Sequence, residues 1–175
     1  MESSAIHVVV MGVAGAGKST IAGALSSALG WDMAEADRFH TAANISKMAG
    51  GVPLTDEDRW PWLRSIRDWM SSEAAAGNST VLTCSALKRS YRNLLAEAEG
   101  RVVFVHLDGS PELLAERMGA RAGHFMPTTL LPSQLATLEP LSAEELAAGS
   151  VRLDIVRDPD TLVAAVVGSL ALQGA

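Results

Sequence analysis

A glycine-rich segment between a predicted strand and a predicted helix constrains the fold of this chain more than any other feature. Residues 12–20 read Gly-Val-Ala-Gly-Ala-Gly-Lys-Ser-Thr and match the pattern Gly-x-x-x-x-Gly-Lys-[Ser/Thr]. Residues 6–11 before it are mostly apolar and β-branched, which is typical of a buried parallel strand. Residues 19–29 after it carry apolar side chains at helical spacings of three and four. The motif therefore has the strand–loop–helix context of a phosphate-binding P-loop.

The P-loop predicts how the parts of a nucleotide are bound. Glycines permit a tight turn whose N–H groups face phosphate oxygens, and the following helix adds the positive end of its dipole. Lys18 is expected to contact the β- and γ-phosphates, and the Ser19 hydroxyl to bind Mg²⁺. The nucleotide-binding residues predicted from this segment are Gly12, Gly15, Ala16, Gly17, Lys18, Ser19 and Thr20.

The composition is that of a globular chain with an acidic balance. The 175 residues suggest a single domain, 1–175, and carry 14 basic against 20 acidic side chains, a net charge of −6. That balance argues against generic binding to nucleic acid or to an anionic membrane. The apolar run 162–172 is too short to span a bilayer, and residues 6–11 form a core strand rather than a signal peptide. We therefore expect a cytoplasmic protein.

Predicted strands and helices alternate along the chain, which favours an α/β fold with a five-stranded parallel sheet and helices on both faces. The predicted strands are 6–11, 31–37, 79–84, 101–107 and 151–156. The predicted helices are 19–29, 41–50, 55–77, 87–99, one opened by Pro111, 132–138 and one that starts at 158–160. Two excursions from this core are expected to form a substrate clamp, about 41–77, and a lid, about 119–133.

Acidic side chains follow the second predicted strand. Glu35 and Asp37 lie near its carboxyl end, where parallel sheets bind their ligands. Asp37 is predicted to accept the proton of an attacking hydroxyl, and Glu35 to hold a water on Mg²⁺. His40 is predicted to donate a hydrogen bond to a polyol substrate. The alternative is a solvated strand end with a surface histidine.

Two pairs of basic residues have helical i, i+4 spacing. Lys88 and Arg92 follow the third strand, and two cations near that crevice suit a carboxylate, which Arg92 is expected to bind through two parallel hydrogen bonds. Arg117 and Arg121 precede Gly-His-Phe at 123–125, and an arginine on a closing lid would neutralise charge on a transferred phosphoryl group. The alternatives are an ordinary basic helix surface and a solvent-exposed helix end.

In several segments the chain resembles the gluconate kinases of the P-loop small-molecule kinase group. These segments are residues 11–20, 37–40, 44–48, 53–63, 84–92 and 121–126. Many unrelated proteins share the P-loop, so residues 53–63 and 84–92 are the more specific part of the resemblance. The family often has aspartate and glycine at the positions of Glu35 and Ala36.

The resemblance implies phosphorylation of D-gluconate by ATP, with Mg²⁺, to 6-phospho-D-gluconate, and it implies a homodimer. Lys18, Asp37 and Arg121 are then the predicted catalytic residues, and Arg117 joins the nucleotide site. The predicted substrate-binding residues are Asp37, His40, Lys88, Arg92 and His124.

Three other activities were compared with the sequence. A shikimate kinase would have a glycine cluster after the third strand, where residues 85–87 are Ser-Ala-Leu, and a nucleoside-monophosphate kinase would have a longer, arginine-rich acceptor segment. A GTPase switch would carry Asn-Lys-x-Asp and Asp-x-x-Gly motifs, and neither occurs in the sequence. A different small-molecule kinase is the nearest alternative to a gluconate kinase.

Overall fold

The computed structural model describes residues 4–119 and 130–172 as alternating strands and helices. The elements are β1 Ile6–Met11, α1 Lys18–Leu29, β2 Asp32–Glu35, a 3₁₀ helix Ala36–Phe39, α2 Ala42–Ala49, α3 Asp56–Ala75, β3 Thr80–Thr83, α4 Arg89–Leu95, β4 Arg101–Asp108, α5 Pro111–Gly119, α6 Leu130–Thr137, α7 Ala143–Ala147, β5 Val151–Asp154 and α8 Pro159–Leu172. Most of the predicted lid, including Arg121 and His124, lies outside the described residues.

All strand pairs are parallel, in the order β2-β3-β1-β4-β5. Every residue of β1 is buried, as expected for the central strand of a sheet covered on both faces. The chain leaves β1 toward β2 and β3 on one side and later returns to β4 and β5 on the other. The P-loop follows β1 directly, so it lies at the point where the strand order reverses, which is where open α/β sheets bind ligands.

Two apolar layers cover the sheet. On one face, Leu25 of α1 and Val166 of α8 belong to the same buried cluster as Val105 of β4. On the other face, Leu63 of α3 and Leu95 of α4 are fully buried in a second cluster. The predicted five-stranded parallel sheet with helices on both faces is confirmed. In the described part of the chain, no helix has both the length and the apolar character needed to cross a membrane.

Segment 41–77, which is predicted to form a substrate clamp, is fixed by the first turn of α3. Thr55 and Asp58 form a capping box at the start of α3, where the predicted helix 55–77 begins. Asp58 also accepts two hydrogen bonds from Lys47 of α2, at 2.9 and 2.8 Å. The bonds from Lys47 and from the Thr55 N–H favour the charged carboxylate and lower the pKa of Asp58 to about 2. This carboxylate therefore joins α2 to α3.

Two elements near the crevice differ from the prediction. The predicted strand 31–37 ends at Glu35, because the chain turns into a 3₁₀ helix in which the Ala36 carbonyl accepts a hydrogen bond from the Trp62 indole. The predicted helix 87–99 spans only Arg89–Leu95. Before it, Ala86 has φ of 46° and Lys88 is extended, so the first predicted helical turn is a loop. Apolar periodicity carries no signal for such a turn.

Candidate active site

The P-loop leaves β1 in a conformation that requires glycine at two positions. Gly12 has φ of 147°, and a Cβ there would lie 2.9 Å from the Leu107 carbonyl oxygen. Gly15 has φ of 85°, and a Cβ there would lie 2.8 Å from Cγ of Met118. Larger side chains would be strained at both positions and would push β4 or α5 away from the loop. The loop therefore packs tightly on the elements behind it.

Lys18 begins α1 and lies across this loop. Its ammonium group donates to the carbonyl oxygens of Gly12, at 3.0 Å, and of Val13, at 3.2 Å. The helix starts after Gly17, which supplies no side-chain cap to its first N–H groups. Uncapped helix N–H groups beside an ammonium group form an anion-binding site, since both favour negative charge.

A pocket on this loop combines the ammonium group of Lys18 with hydroxyl and carboxylate oxygens. The described residues that line it are Ala14, Gly15, Gly17, Lys18, Ser19, Glu35, Ala36, Asp37, Trp62, Thr83, Cys84, Ser85 and Gln134. Thr83 donates its hydroxyl hydrogen to Oε2 of Glu35, which fixes this carboxylate at the end of β3. Hydroxyl and carboxylate oxygens are the ligands that Mg²⁺ prefers, and Ser19, Glu35 and Asp37 offer them beside Lys18. The residues present therefore fit a Mg²⁺–phosphate group.

A second pocket adjoins the first. It is lined by Asp37, His40, Pro53, Leu54, Arg59, Trp62, Leu63, Ser85, Ala86, Leu87, Lys88, Tyr91, Ser133, Gln134 and Thr137. Four residues line both pockets: Asp37, Trp62, Ser85 and Gln134. Asp37 is 95% exposed at its side chain, so its carboxylate is open to a ligand. A molecule in the second pocket would thus meet this carboxylate next to the P-loop.

His40 is held in one orientation in the second pocket. Its ring stacks on Trp62 with 4.3 Å between centroids, and its Nδ1 lies 3.4 Å from Nδ2 of Asn44. Nδ2 of Asn44 also donates to the Asp58 carbonyl, which fixes the amide orientation, so Nδ1 of His40 accepts and Nε2 carries the hydrogen. Burial lowers the pKa of His40 despite the nearby Asp37, so the ring is neutral at pH 7. This neutral ring can donate from Nε2, which lies 3.9 Å from Asp37.

The cationic side chains among the described lining residues of the second pocket are Arg59 and Lys88. Asp56 accepts two hydrogen bonds from Lys88, each at 3.1 Å, and lies 3.9 Å from Arg59. Tyr91 donates its hydroxyl to the same carboxylate. The hydrogen bond to Asp56 raises the pKa of Lys88, which keeps the ammonium charged. Asp56 balances one of the two positive charges and leaves the cluster able to attract an anion.

Arg92 does not lie where the sequence predicted. Its side chain is fully buried and pairs with Glu145, while Nη1 donates to the Ala86 carbonyl at 2.9 Å. The predicted shared helical face with Lys88 is wrong, because Lys88 is in extended backbone before α4 begins. Lys88 reaches the pocket, whereas Arg92 supports the turn behind it. We therefore transfer the predicted carboxylate contact from Arg92 to Arg59.

Arg117 lies beside the P-loop. It lines a further cavity with Gly15, Ala16, Gly17, Thr20, Ile21, Arg157, Pro159 and Leu162. Its guanidinium group donates to the Ile155 carbonyl, and the cavity shares Gly15 and Gly17 with the phosphate pocket, so the predicted nucleotide contact of Arg117 stays a prediction. The predicted roles of Arg121 and His124 concern residues outside the described part of the chain and stay predictions.

Sequence reasoning missed three residues of the site. Trp62 is 6% exposed, and its indole is the surface on which the His40 ring stacks, although an apolar residue in a predicted helix gave no sign of a site. Arg59 was read only as part of a helix, although its place three residues after Asp56, in the first turn of α3, was a signal for an ion pair. Nothing in the periodicity of α6 marked Gln134, which contacts the P-loop.

Comparisons with known proteins give the family. Residues 8–141 match the sequence profile of a family described as AAA domain. A gluconokinase of Gluconobacter oxydans is 49% identical over 156 residues, which cover 89% of this chain and 86% of that protein. The chain belongs to the gluconokinase family. This confirms the resemblance seen in residues 53–63 and 84–92.

Solved structures of similar proteins agree with this family assignment. The structure of a sugar kinase from Janibacter has a TM-score of 0.88 and 51% identity, covering 95% of each chain. A gluconokinase structure from Sinorhizobium meliloti has a TM-score of 0.84 and 43% identity, covering 99% of this chain and 95% of that one. Gluconokinase relatives therefore share both the sequence and the fold of this chain over nearly its whole length.

Proposed function

We propose that this protein transfers the γ-phosphoryl group of ATP to D-gluconate and forms 6-phospho-D-gluconate. The observation that carries the proposal is the meeting of two pockets at Asp37, one on the P-loop and one lined by Arg59 and Lys88. A phosphoryl donor and an acidic acceptor placed in these pockets would have their reacting groups next to the same carboxylate. Such positioning, with electrostatic stabilisation, accounts for most of the catalysis in phosphoryl transfer.

The P-loop side supplies the charge stabilisation. Lys18 and the first N–H groups of α1 would hold the β- and γ-phosphates, and Ser19, with Glu35 close by, would hold Mg²⁺. Mg²⁺ neutralises charge on the phosphates when it is bound. Lys18 would have to release the Gly12 and Val13 carbonyls to reach a phosphate, and a charged phosphate oxygen is a stronger acceptor than a neutral carbonyl.

The acceptor side supplies the proton acceptor and the recognition. Asp37 would accept the proton of the attacking hydroxyl, and His40 would donate its Nε2 hydrogen to a hydroxyl of the polyol chain. Arg59 and Lys88 would bind the carboxylate of gluconate, at the end of the pocket lined by the α3 start. Their positive charge favours an acid over a neutral sugar of the same length.

Acceptor-dependent ADP release tests this proposal. Purified protein with Mg²⁺ and ATP should release ADP rapidly with D-gluconate and only at a background rate without it or with D-glucose, which has no carboxylate. Equal rates with both compounds would reject acid recognition, and a slow rate independent of any acceptor would indicate a nucleotide-hydrolysing switch. The homodimer implied by the resemblance is a separate prediction, which the mass in solution, measured by light scattering, would test.

A further inference from the structure

Gln134 of α6 forms a hydrogen bond with the P-loop, and a bound nucleotide would compete with it. Its side-chain Oε1 accepts from the backbone N–H of Ala14 at 2.7 Å. Ala14 lies in the P-loop and lines the phosphate pocket. Backbone N–H groups of a P-loop are the groups that bind phosphate oxygens. Oε1 of Gln134 and a phosphate oxygen would therefore compete for the hydrogen of the Ala14 N–H.

The side chain of Gln134 also lines the neighbouring acceptor pocket. Because an N–H group only donates, the contact with Ala14 fixes Oε1 on the P-loop side and leaves Nε2 as the outward end. Within residues 4–119 and 130–172, the hydrogen bond of the Gln134 side chain is the one with Ala14. Gln134 lines both the phosphate pocket and the acceptor pocket. One side chain thus lines both pockets, and its Oε1 is held at the P-loop.

We propose that Gln134 is a positioning residue that couples the two pockets. Without nucleotide its oxygen satisfies the Ala14 N–H; a phosphate oxygen takes over that N–H, and the released amide then binds a hydroxyl of the acceptor. This inference rests on the proposed function for the identity of the acceptor, but its nucleotide half requires only a phosphate in the P-loop. The coupling means that nucleotide binding improves acceptor binding, and by linkage the reverse also holds.

Calorimetric titration with Mg²⁺ and a non-hydrolysable ATP analogue tests the nucleotide half. Gln134→Met keeps the size of the side chain and removes its hydrogen bonds, so the competing bond to Ala14 is gone. One net hydrogen bond corresponds to about two- to tenfold in Kd, and we expect the analogue to bind tighter by that factor. Gln134→Glu keeps an acceptor for Ala14 and adds a negative charge beside the phosphates, so it should bind the analogue at least about tenfold more weakly. An unchanged or higher Kd in Gln134→Met, or an unchanged Kd in Gln134→Glu, would show that Gln134 does not compete with phosphate for the Ala14 N–H.

Titration of gluconate with and without the saturating analogue tests the coupling. In the unaltered protein the analogue should tighten gluconate binding by about 5- to 150-fold, the usual range for linked sites. In Gln134→Met that factor should fall close to one, and the KM for gluconate should rise while the KM for ATP does not. An unchanged factor in Gln134→Met would overturn the coupling.

Ala136→Ser, on the exposed side of α6, is the control and should behave as the unaltered protein. If gluconate does not bind at all, the proposed function fails, while the nucleotide titration still decides the role of Gln134.

Discussion

The Nε atom of Arg92 lies 2.7 Å from Oε2 of Glu145, and its Nη2 atom lies 3.1 Å from Oε1 of the same carboxylate. This two-bond ion pair joins α4 to α7, while Nη1 holds the Ala86 carbonyl in the turn after β3. Burial opposes the charged form of Glu145, but the bonds from Arg92 and the Ser142 N–H outweigh it, and the pKa lies below its usual value. The pair therefore supports the turn that carries Ser85 and Lys88 into the acceptor pocket.

Arg92→Ala should destabilise the protein strongly. Removal of Arg92 leaves Glu145, which is 11% exposed, with only the Ser142 N–H and a 4.0 Å contact with Arg89, and this costs about 3–5 kcal/mol in the free energy of unfolding. Urea denaturation followed by circular dichroism measures this change. The matched control is Glu144→Ala, next to Glu145 in α7, which removes only the exposed pair with Arg89 and should cost no more than about 1 kcal/mol. Equal losses for the two variants would show that the buried pair has no special role.

Arg59→Ala should raise the KM for gluconate and leave the KM for ATP unchanged. Arg59 lines the acceptor pocket and lies outside the phosphate pocket, so its loss removes one charged hydrogen bond to the acceptor only. Such a bond is worth about 1.5–3 kcal/mol, or roughly 10- to 150-fold in KM. Steady-state kinetics with each substrate varied in turn measures both constants. A larger change in the ATP constant would assign Arg59 to the nucleotide site instead.

Acid should weaken the contact between α2 and α3. The pKa of Asp58 is about 2 in the folded protein, below the usual value near 3.8, so the pair with Lys47 contributes fully above that usual value. Its contribution is lost as the pH falls from about 4 toward 2. The melting temperature of Asp58→Asn should therefore change less over this range than that of the unaltered protein, whereas the exposed control Asp68→Asn should retain the full change. If the melting temperatures of Asp58→Asn and of the unaltered protein fell equally between about pH 4 and pH 2, this account would be contradicted.

Lys18→Met should lower kcat by at least about 100-fold, because one charged group that stabilises the transferred phosphates is lost. The variant should remain folded, since Lys18 is only partly buried and its hydrogen bonds are to two loop carbonyls. Arg64→Ala, in an exposed position of α3 outside both pockets, is the control for a lost surface charge. If Lys18→Met were folded and had near-normal turnover, the P-loop would have no part in the reaction.

The sequence was most informative where backbone geometry and residue type are tightly linked. The spacing of Gly12, Gly17 and Lys18 predicts the loop, because positive φ angles and a helix start leave little choice of residues. The alternation of strands and helices predicted the parallel sheet in the same way. The position of Asp37 near the end of β2 also followed from that pattern.

Side-chain partners over long sequence distances could not be predicted. Arg92 and Glu145 are 53 residues apart, and Gln134 and Ala14 are 120 apart. No periodic sequence pattern marks either contact, because each depends on how α6 and α7 pack against the sheet. For the same reason the sequence did not show that Arg92 is buried. An arginine in a short helix has the same sequence pattern whether its side chain faces a pocket or pairs with a buried carboxylate.

The most direct test of the central claim is to follow the phosphorus of ATP by ³¹P NMR while the protein acts on D-gluconate. If the two pockets meet at Asp37 as a transfer site, each ADP formed should be matched by one phosphomonoester of gluconate, and Asp37→Asn should abolish this signal while still binding the ATP analogue. Formation of inorganic phosphate in place of the phosphomonoester, at a rate independent of gluconate, would contradict the account.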